Sequence, residues 1–278
     1  MGDDWRRYPF DLVGKDPQFR FPAAEGEHPD FESDTWFLAG QLNGESRNFA
    51  FLTIFNKNRP GHTVVADFYT FALFDLDTGE YGTYTDYDMP PANLGAQPKL
   101  SMASGHLDIA YESSAGTATW RTCLEKGELQ PYTYDVDFVG TAHTGEPMRL
   151  RLHVSPTRAP VPLGASAYDG KISCFGQDDT YSYFQTGLTM TGDLRWGSTV
   201  EAVTGSAGHV DRQWFPRYAG GGGTDGDPRA RAHEWRTISL DNGIDLSIWR
   251  QFDRTTGNAL QPFSGATTSS ADAMPTCV

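Results

Sequence analysis

Apolar residues along this chain recur mainly at every second position, and no long segment keeps the 3.6-residue period of an amphipathic helix. Aromatic and β-branched runs alternate with short segments rich in Gly, Pro and Asn, which favour turns. We therefore predict a mostly antiparallel β protein that begins with a meander. The predicted strands cover residues 35–41, 48–56, 63–76, 106–112, 117–123, 132–139, 148–154, 181–192, 199–204, 231–240 and 244–252.

Two kinds of strand are distinguished by this pattern. The runs at 48–56 and 63–76 are apolar on both faces, so they need cover on both sides, as in a barrel wall that also packs against a second sheet. Residues 148–154 instead alternate apolar with charged or polar side chains, which predicts one solvated face.

Three segments have no strand pattern. Residues 1–33 are rich in Pro, Gly and charge, and we expect them to lie over the surface as an irregular arm. Residues 81–97 are predicted to form a loop long enough to fold over a barrel mouth. The tail from Ser264 is predicted to be disordered or a surface loop. Between the last two strands, Asp241-Asn242-Gly243 predicts a tight hairpin.

Composition limits the partners and the compartment. The chain has 278 residues and a net charge of -14, which opposes binding to nucleic acid or to an anionic membrane surface. Because no apolar run has the length of a signal-peptide core or a bilayer span, we predict no transmembrane segment and a cytoplasmic location. Cys123, Cys174 and Cys277 are widely spaced, so neither a zinc ribbon nor a disulfide framework is predicted. We expect no cofactor and no bound metal ion, and the oligomeric state is left open.

Acidic, basic and aromatic residues are concentrated in residues 209–218, shortly before four glycines at 220–223. The glycines are predicted to form a flexible loop, because no Gly-Lys-[Ser/Thr] follows them as in a phosphate-binding loop. If residues 209–214 are extended, their side chains alternate between two faces, one with His209, Asp211 and Gln213 and the other with Val210, Arg212 and Trp214.

Three motifs, taken in order, resemble those of a known family. They are Asp34-Thr-Trp36-Phe-Leu-Ala-Gly40, then His209-Val-Asp211-Arg-Gln-Trp214, then Glu234-Trp235 followed by Ser239-Leu-Asp-Asn-Gly243. The family is the AttH and hydroxyneurosporene synthase (carotenoid 1,2-hydratase, CrtC-like) group of lipocalin-like proteins, which also includes fungal Diels-Alderases.

The resemblance implies an all-β, lipocalin-like antiparallel β-barrel or sandwich with a ligand pocket in or between two lobes. We accordingly expect an N-terminal arm over residues 1–33, a first lobe over 34–205, and a junction with the start of a second, incomplete lobe over 206–278. Val278 is expected to be a truncated end. One departure concerns the chemistry, because Arg212 stands where the hydratases of this family carry His.

Hydration of an isolated double bond needs an acid that protonates carbon, shielding of the resulting carbocation, and delivery of a water. Asp211 is the predicted acid, because burial raises the pKa of a carboxyl group and keeps it protonated. Trp214 is predicted to stabilise the cation through its π face, and His209 to orient Asp211 or to accept the proton of the water. The structural alternative is a hydrogen-bond brace from Asp211 to Arg212 or to the backbone, with Trp214 as a core plug.

The remaining candidates carry similar alternatives. Glu234 is a second catalytic candidate, and its alternative is an ion pair with Arg236. Asp241 is given an acid-base role by the resemblance and a turn role by its position. A competing hypothesis places an iron ion between His209, Asp211 and His233. The residues predicted to line a pocket for a hydrophobic ligand, with ordinary core packing as the alternative, are Trp36, Tyr69, Tyr183, Gln185, Arg212 and Trp235.

Two functional hypotheses follow. The first is an enzyme acting on a hydrophobic isoprenoid or polyketide, either a lyase that hydrates a carbon-carbon double bond or a Diels-Alderase-like cyclase with Gln185 or Arg212 as polarising donor. The second is a non-catalytic carrier of a lipophilic small molecule.

Overall fold

The computed structural model describes residues 3–174, 177–217 and 231–277, so the glycines at 220–223 lie outside the described residues. In the described parts the chain is almost entirely β, as predicted. The exceptions are the short helix α1 (Ala165–Tyr168) and single 3-10 turns at Asp3–Arg6, Pro17–Phe19, Ala23–Glu25 and Pro60–His62. No helix in these parts of the chain has the length and apolar character required to cross a membrane.

One large antiparallel sheet dominates the fold. A small ladder of β1 (Phe10–Asp11) with β2 (Arg20–Phe21) precedes it. The early strands of the large sheet are β3 (Ser33–Asn43), β4 (Asn48–Asn58), β5 (Asp67–Asp75), β6 (Tyr81–Asp88), β7 (Leu100–Met102), β8 (Asp108–Ser113), β9 (Gly116–Glu125), β10 (Glu128–Thr141) and β11 (Pro147–Pro156). Its later strands are β12 (Val161–Pro162), β13 (Lys171–Cys174), β14 (Gln177–Trp196) and β15 (Thr199–Phe215). The main order is β6-β5-β4-β3-β15-β14-β11-β10-β9-β8-β7, and β12 and β13 pair with β14.

The sheet curls into a half-barrel with an aromatic interior. Strand β10 packs across this interior against β5 and β6, and the Tyr69 hydroxyl donates to the Val139 carbonyl at 3.0 Å. Phe138 lies 6.1 Å from Phe55 and 6.0 Å from Phe71, measured between ring centroids. Apolar side chains at alternate positions of opposite strands therefore fill the interior.

The predicted difference between strand types is observed in part. On β11, Leu150 and Leu152 are buried while Arg151 is exposed, as the alternation predicts. On β4, Phe51 is buried inside, but Leu52 on the outer face is only half-buried. The outer face of β4 is therefore less covered than its apolar pattern predicts.

The prediction of a surface arm is wrong. Between residues 3 and 33, the side chains of Phe19, Phe21 and Glu25 are fully buried. Strand β2 and the 3-10 turn at Ala23–Glu25 pack against the inner face of the sheet, where Phe21 lies edge-on to Tyr132 of β10 and Tyr183 of β14 at centroid distances of 5.1 and 5.0 Å. The segment fills the half-barrel because its aromatic residues would otherwise be exposed to water.

Three further predictions need correction. Residues 81–88 belong to β6, because alternate Tyr and Thr side chains allow this segment to pair with β5. The tail from Ser264 begins inside a strand, β18 (Ala259–Ser269), and is not simply a loop. Strand β15 also continues to Phe215, beyond its predicted end at residue 204, because it pairs with β3 on one side and β14 on the other.

A second, three-stranded sheet follows, formed by β16 (Arg231–Ser239), β17 (Asp245–Asp253) and β18. The predicted hairpin joins β16 to β17, and Gly243 adopts a positive φ of 80° there. This sheet contacts the large sheet through the Arg158–Asp245 ion pair at 3.2 Å and a hydrogen bond from the Gly164 amide to the Thr267 hydroxyl. The second sheet therefore covers the outer face of β15, and side chains on that face lie between the two sheets.

Candidate functional site

Strand β15 presents its two sets of side chains to different environments. Asp211 pairs with Phe37 of β3 and Phe184 of β14, whereas Arg212 pairs with Trp36 and Tyr183 on the same two strands. Directly paired residues in antiparallel strands share a face. The register therefore places Asp211 on the face toward the second sheet and Arg212 on the face toward the half-barrel interior.

The outer face of β15 combines a carboxyl group and an imidazole with aromatic rings. Trp235 of β16 packs edge-on against His209 and Phe37, at centroid distances of 5.1 and 4.8 Å. Phe184 stacks on the His209 ring at 5.4 Å with an interplanar angle of 6°. Asp211 lies two residues along the strand from His209, at a spacing of about 7 Å. We call His209, Asp211, Phe37, Phe184 and Trp235 the inter-sheet cluster.

The charges of this cluster are set mainly by burial. Burial raises the pKa of the Asp211 carboxyl to about 7, and the nearby Arg212 guanidinium opposes this only weakly. Asp211 as a residue is half-buried, and its carboxyl group forms no hydrogen bond or ion pair with the described parts of the chain. Burial lowers the pKa of His209 to about 3, so its ring is neutral near pH 7. The cluster therefore contains a protonatable acid beside a neutral base.

The ring nitrogens of His209 are buried polar atoms without a hydrogen-bond partner in the described residues. Buried polar groups are nearly always satisfied by protein, water or a ligand. The described rings around this imidazole are aromatic, with Phe184 stacked on it and Trp235 edge-on to it.

Arg212 belongs to a different network, on the inner face. Its guanidinium donates to the Asp34 carboxylate at 2.7 Å and to the Gly26 carbonyl at 2.8 Å, and it lies over the Trp36 ring at 4.2 Å. Burial alone would raise the pKa of Asp34, but Arg212 and His28 outweigh it and hold the pKa below its usual value. The predicted brace from Asp211 to Arg212 is therefore replaced by an Asp34–Arg212 pair.

Trp214 also lies on the inner face and is not brought beside Asp211. Its indole nitrogen donates to the Gln18 side chain at 3.1 Å. The ring stacks on His28 at 4.1 Å and on Tyr181 at 5.7 Å, with interplanar angles of 8° and 11°. This position matches the core-plug alternative.

The predicted pocket-lining residues divide between the two faces. Trp36, Tyr69 and Tyr183 are fully buried in the half-barrel, and Trp36 donates to the Glu25 carbonyl at 2.8 Å. Gln185 is also buried and donates to the Arg158 carbonyl at 3.2 Å. Only Trp235 joins the inter-sheet cluster.

The remaining acidic candidates lie at the edge of the second sheet. Asp241 is exposed in the β16–β17 turn, away from the cluster. Glu234 is half-buried and pairs with Arg236 on the same strand, in line with its structural alternative.

The iron-site hypothesis is not supported by the positions of its residues. In the described ranges, the donor atoms of His209, Asp211 and His233 do not converge on one point. His233 instead stacks on Trp249 at 4.8 Å.

One buried acid was missed by the sequence reasoning. Glu25 accepts hydrogen bonds from the Tyr8 and Tyr134 hydroxyls, both at 2.5 Å. Burial raises its pKa to about 7, although the two tyrosines and Arg212 act in the opposite direction. Nearby, the hydroxyls of Tyr132 and Tyr183 have no hydrogen-bond partner in the described residues. The sequence feature that could have identified Glu25 is its carboxyl group within the short apolar stretch after Phe21. We missed it because this segment was predicted to be exposed.

Cavities near the second sheet are small or polar. A cavity of about 60 Å³ is lined by Leu163, Tyr168 and Trp249, among others, and a polar one of about 380 Å³ by Trp5 and Arg158 with residues 269–275. Neither His209 nor Asp211 lines them.

Comparisons with known proteins agree with the motifs. A family model described as AttH-like matches residues 13–277, whereas no curated protein matches the chain. An AttH from Nitrosomonas europaea has a similar structure, with a TM-score of 0.67 at 17% identity over 96% of this chain and 74% of that one. Kievitone hydratase from Nectria haematococca gives a TM-score of 0.62 at 14% identity over 98% and 73%. CghA gives a TM-score of 0.44 at 16% identity over 87% and 58%. The predicted lipocalin-like fold is confirmed.

Proposed function

The chain belongs to the AttH-like family, and on that premise we propose that it is an enzyme that adds water to a carbon-carbon double bond of a hydrophobic small molecule. The inter-sheet cluster is the proposed active site. Isoprenoid and polyketide alkenes are the proposed substrate class, because aromatic rings surround the acid and no basic group of the cluster would bind an anionic substrate.

The observation that carries this proposal is the state of Asp211. The residue is half-buried, its carboxyl group has no ion-pair partner among the described residues, and burial raises the pKa of that group to about 7. A general acid works best when its pKa lies near the operating pH, because it is then often protonated and also donates readily. A carboxyl group with only a structural role would be expected to accept hydrogen bonds, as Asp34 does on the opposite face.

The proposed reaction begins with proton transfer from the Asp211 carboxyl to one alkene carbon. The electron pair of the double bond forms the new C–H bond and leaves a carbocation on the other carbon. The oxygen of a water attacks this carbon and forms the C–O bond, and His209 accepts the proton that the water loses. That proton returns to Asp211, so the net change is the addition of one water.

His209 suits the second step because its basicity depends on Asp211. While Asp211 is neutral, burial keeps the pKa of His209 at about 3 and the imidazole stays unprotonated. After Asp211 has given up its proton, its negative charge nearby raises the pKa of His209. Phe37, Phe184 and Trp235 bring aromatic rings to this site, and a ring face turned toward a desolvated transient cation contributes about 2 kcal/mol.

Hydration is favoured over cyclisation by the positions of the polarising donors. A cyclase of the predicted kind would use Gln185 or Arg212, but Arg212 is fully buried on the inner face and its guanidinium donates to Asp34, Gly26 and Thr35. The similar fold of a kievitone hydratase is compatible with hydration.

The decisive experiment compares two Asp-to-Asn variants. Wild type, Asp211→Asn and Asp241→Asn would be incubated in H₂¹⁸O with a panel of isoprenoid and prenylated polyketide alkenes, and mass spectrometry would measure the uptake of labelled water. We expect Asp211→Asn to lose about 10²- to 10⁴-fold in turnover while still binding the alkene. Asp241→Asn, the matched control in an exposed turn, should retain wild-type turnover.

The same proposal predicts the pH dependence of the wild-type enzyme. Its kcat/KM should fall above pH 7 as Asp211 loses its proton.

Two results would contradict the proposal. Turnover by Asp211→Asn within a few-fold of wild type would exclude Asp211 as the acid. Saturable binding of an alkene by wild type, with no labelled product from any member of the panel, would favour the carrier hypothesis instead.

A further inference from the structure

A second group of chemically active side chains lies on the outer surface of the half-barrel, on three neighbouring strands. Cys123 is on β9, Asp135 on β10 and His153 on β11. Their donor atoms all lie within 4.8 Å of one another. The His153 Nδ1 is 2.9 Å from the Asp135 carboxylate and 3.8 Å from the Cys123 sulfur.

The geometry differs from that of a nucleophile with its base. In a Cys-His-Asp relay, the two ring nitrogens of the histidine face different partners, one toward the thiol and one toward the carboxylate. Here both Cys123 and Asp135 approach the same atom, Nδ1, whereas Nε2 faces the Ser155 hydroxyl. Three donors that converge on one point are what a chelating site requires.

The other ring nitrogen has the partner expected of a metal ligand. The Ser155 hydroxyl lies 3.1 Å from His153 Nε2. Metal-binding histidines usually donate their second N–H to an oxygen atom, which fixes the ring orientation. A hydroxyl oxygen at this distance can accept that bond. In the metal-free geometry Nδ1–H donates to the Asp135 carboxylate, and a bound metal ion would take the place of this proton between the two atoms.

The charges around Asp135 leave its carboxylate available. Burial and that carboxylate raise the pKa of the Cys123 thiol to about 12, so a metal ion would have to displace the thiol proton. Arg121, the cross-strand neighbour of Asp135, is engaged with Asp108 at 2.8 Å. Arg149 and Arg151 both pair with Asp137. In the described parts of the chain, no Lys or Arg forms an ion pair with Asp135, so its negative charge remains available for a cation.

We propose that Cys123, Asp135 and His153 bind a divalent ion of the zinc type, with a water as the fourth ligand. One sulfur, one nitrogen and one carboxylate oxygen are ligand types that Zn²⁺ accepts, whereas Mg²⁺ and Ca²⁺ prefer oxygen alone. In a tetrahedral zinc site the sulfur and nitrogen ligands lie roughly 3.5 Å apart, close to the Cys123–His153 separation. This site shares no residue with the proposed active site, and it departs from our sequence-based expectation of no metal.

The test uses Co²⁺ as a spectroscopic substitute for Zn²⁺. The reduced full-length protein would be stripped with a chelator and titrated with Co²⁺, and bound zinc would be measured by elemental mass spectrometry after gel filtration. We expect one ion per chain, with tetrahedral d–d absorption and a sulfur-to-cobalt charge-transfer band. Cys123→Ser should abolish the charge-transfer band, and Asp135→Asn and His153→Gln should each weaken affinity about 10-fold or more.

Cys277→Ser is the matched control, because this change removes a cysteine of similar exposure elsewhere and should leave the titration unchanged. Asp108→Asn controls for general loss of surface negative charge. The three ligand positions are on the surface, so circular dichroism of the metal-free variants should match wild type. The absence of saturable Co²⁺ binding by wild type would overturn the proposal. It would also fail if the charge-transfer band persisted in Cys123→Ser or disappeared in Cys277→Ser.

Discussion

At the residue scale, the adjacent residues Asp211 and Arg212 of β15 lie in different chemical environments. Asp211 is desolvated and unpaired in the described residues, whereas Arg212 is held by a carboxylate and backbone carbonyls. The two side chains point to opposite faces of the same strand, so sequence proximity does not make them partners. The Asp-Arg dipeptide therefore contributes to a proposed active site on one face and to the core on the other.

The Arg212–Asp34 pair should be costly to break. Both side chains are fully buried, so Arg212→Met would leave the Asp34 carboxylate without its main charge partner. We expect the free energy of unfolding, measured by urea denaturation near pH 7, to fall by about 3–5 kcal/mol.

Arg236→Met is the control, since this arginine forms an exposed ion pair and its loss should cost less than about 1 kcal/mol. Adding Asp34→Asn to Arg212→Met should recover part of the lost stability because it removes the unpaired charge. Equal small losses in the two arginine variants would show that the buried pair contributes little.

At the element scale, the N-terminal segment acts as part of the core. The half-barrel is an open curled sheet, and an open sheet exposes apolar side chains unless another element covers them. Strand β2 and the following 3-10 turn provide this cover with Phe21 and Glu25, and the Tyr132 amide donates to the Tyr8 hydroxyl at 3.0 Å. The segment therefore contributes to folding despite its lack of a regular strand pattern.

Truncation of Phe21 tests this role. Phe21→Ala removes a fully buried ring that packs against Tyr132 and Tyr183, and should lower the free energy of unfolding by about 3–5 kcal/mol. Phe10→Ala, at the paired position on β1 where the ring is only half-buried, should cost clearly less. Equal effects of the two changes in chemical denaturation would argue that the segment does not fill the core.

At the scale of the whole molecule, buried ionisable groups make stability depend on pH. The pKa values of Asp211 and Glu25 are raised to about 7 in the folded protein, above their values in an unfolded chain. Their protonated forms are favoured by folding, so this contribution is present at low pH and is lost as the pH rises to 7. His209 acts oppositely, because its lowered pKa makes the protein less stable as the pH falls below about 6.5.

Asp211→Asn should isolate one of these contributions. At pH 8 the variant avoids a buried carboxylate and should be more stable than wild type by on the order of 2 to 4 kcal/mol. At pH 4 the two proteins should be nearly equal, since Asp211 is then protonated. Urea denaturation at both values measures the difference, with Asp241→Asn as a control that should show no such change. A pH-independent difference would mean that burial does not raise the pKa of Asp211.

Strand prediction was most accurate where local pattern and tertiary environment agreed. On β11 the alternation of Leu150 and Leu152 with Arg151 marks one dry and one wet face, and both are observed. It was least accurate where pairing partners decide the outcome. Residues 81–88 contain glycine and many polar residues, yet they form β6 because β5 offers an unpaired edge. The prediction of a surface arm over residues 1–33 was wrong for the same reason, since Phe21 is buried by strands distant in sequence.

The sequence by itself determined the β class, the family and the two-faced character of residues 209–214, because these depend on local alternation and short motifs. Only the tertiary structure decided which residues meet. It brought Trp235 to His209, separated Trp214 from Asp211, and buried Glu25 against Tyr134. It also gathered Cys123, Asp135 and His153 from three strands. The physical reason is that strand register and sheet curl set these distances, and both depend on pairings between segments far apart in the chain.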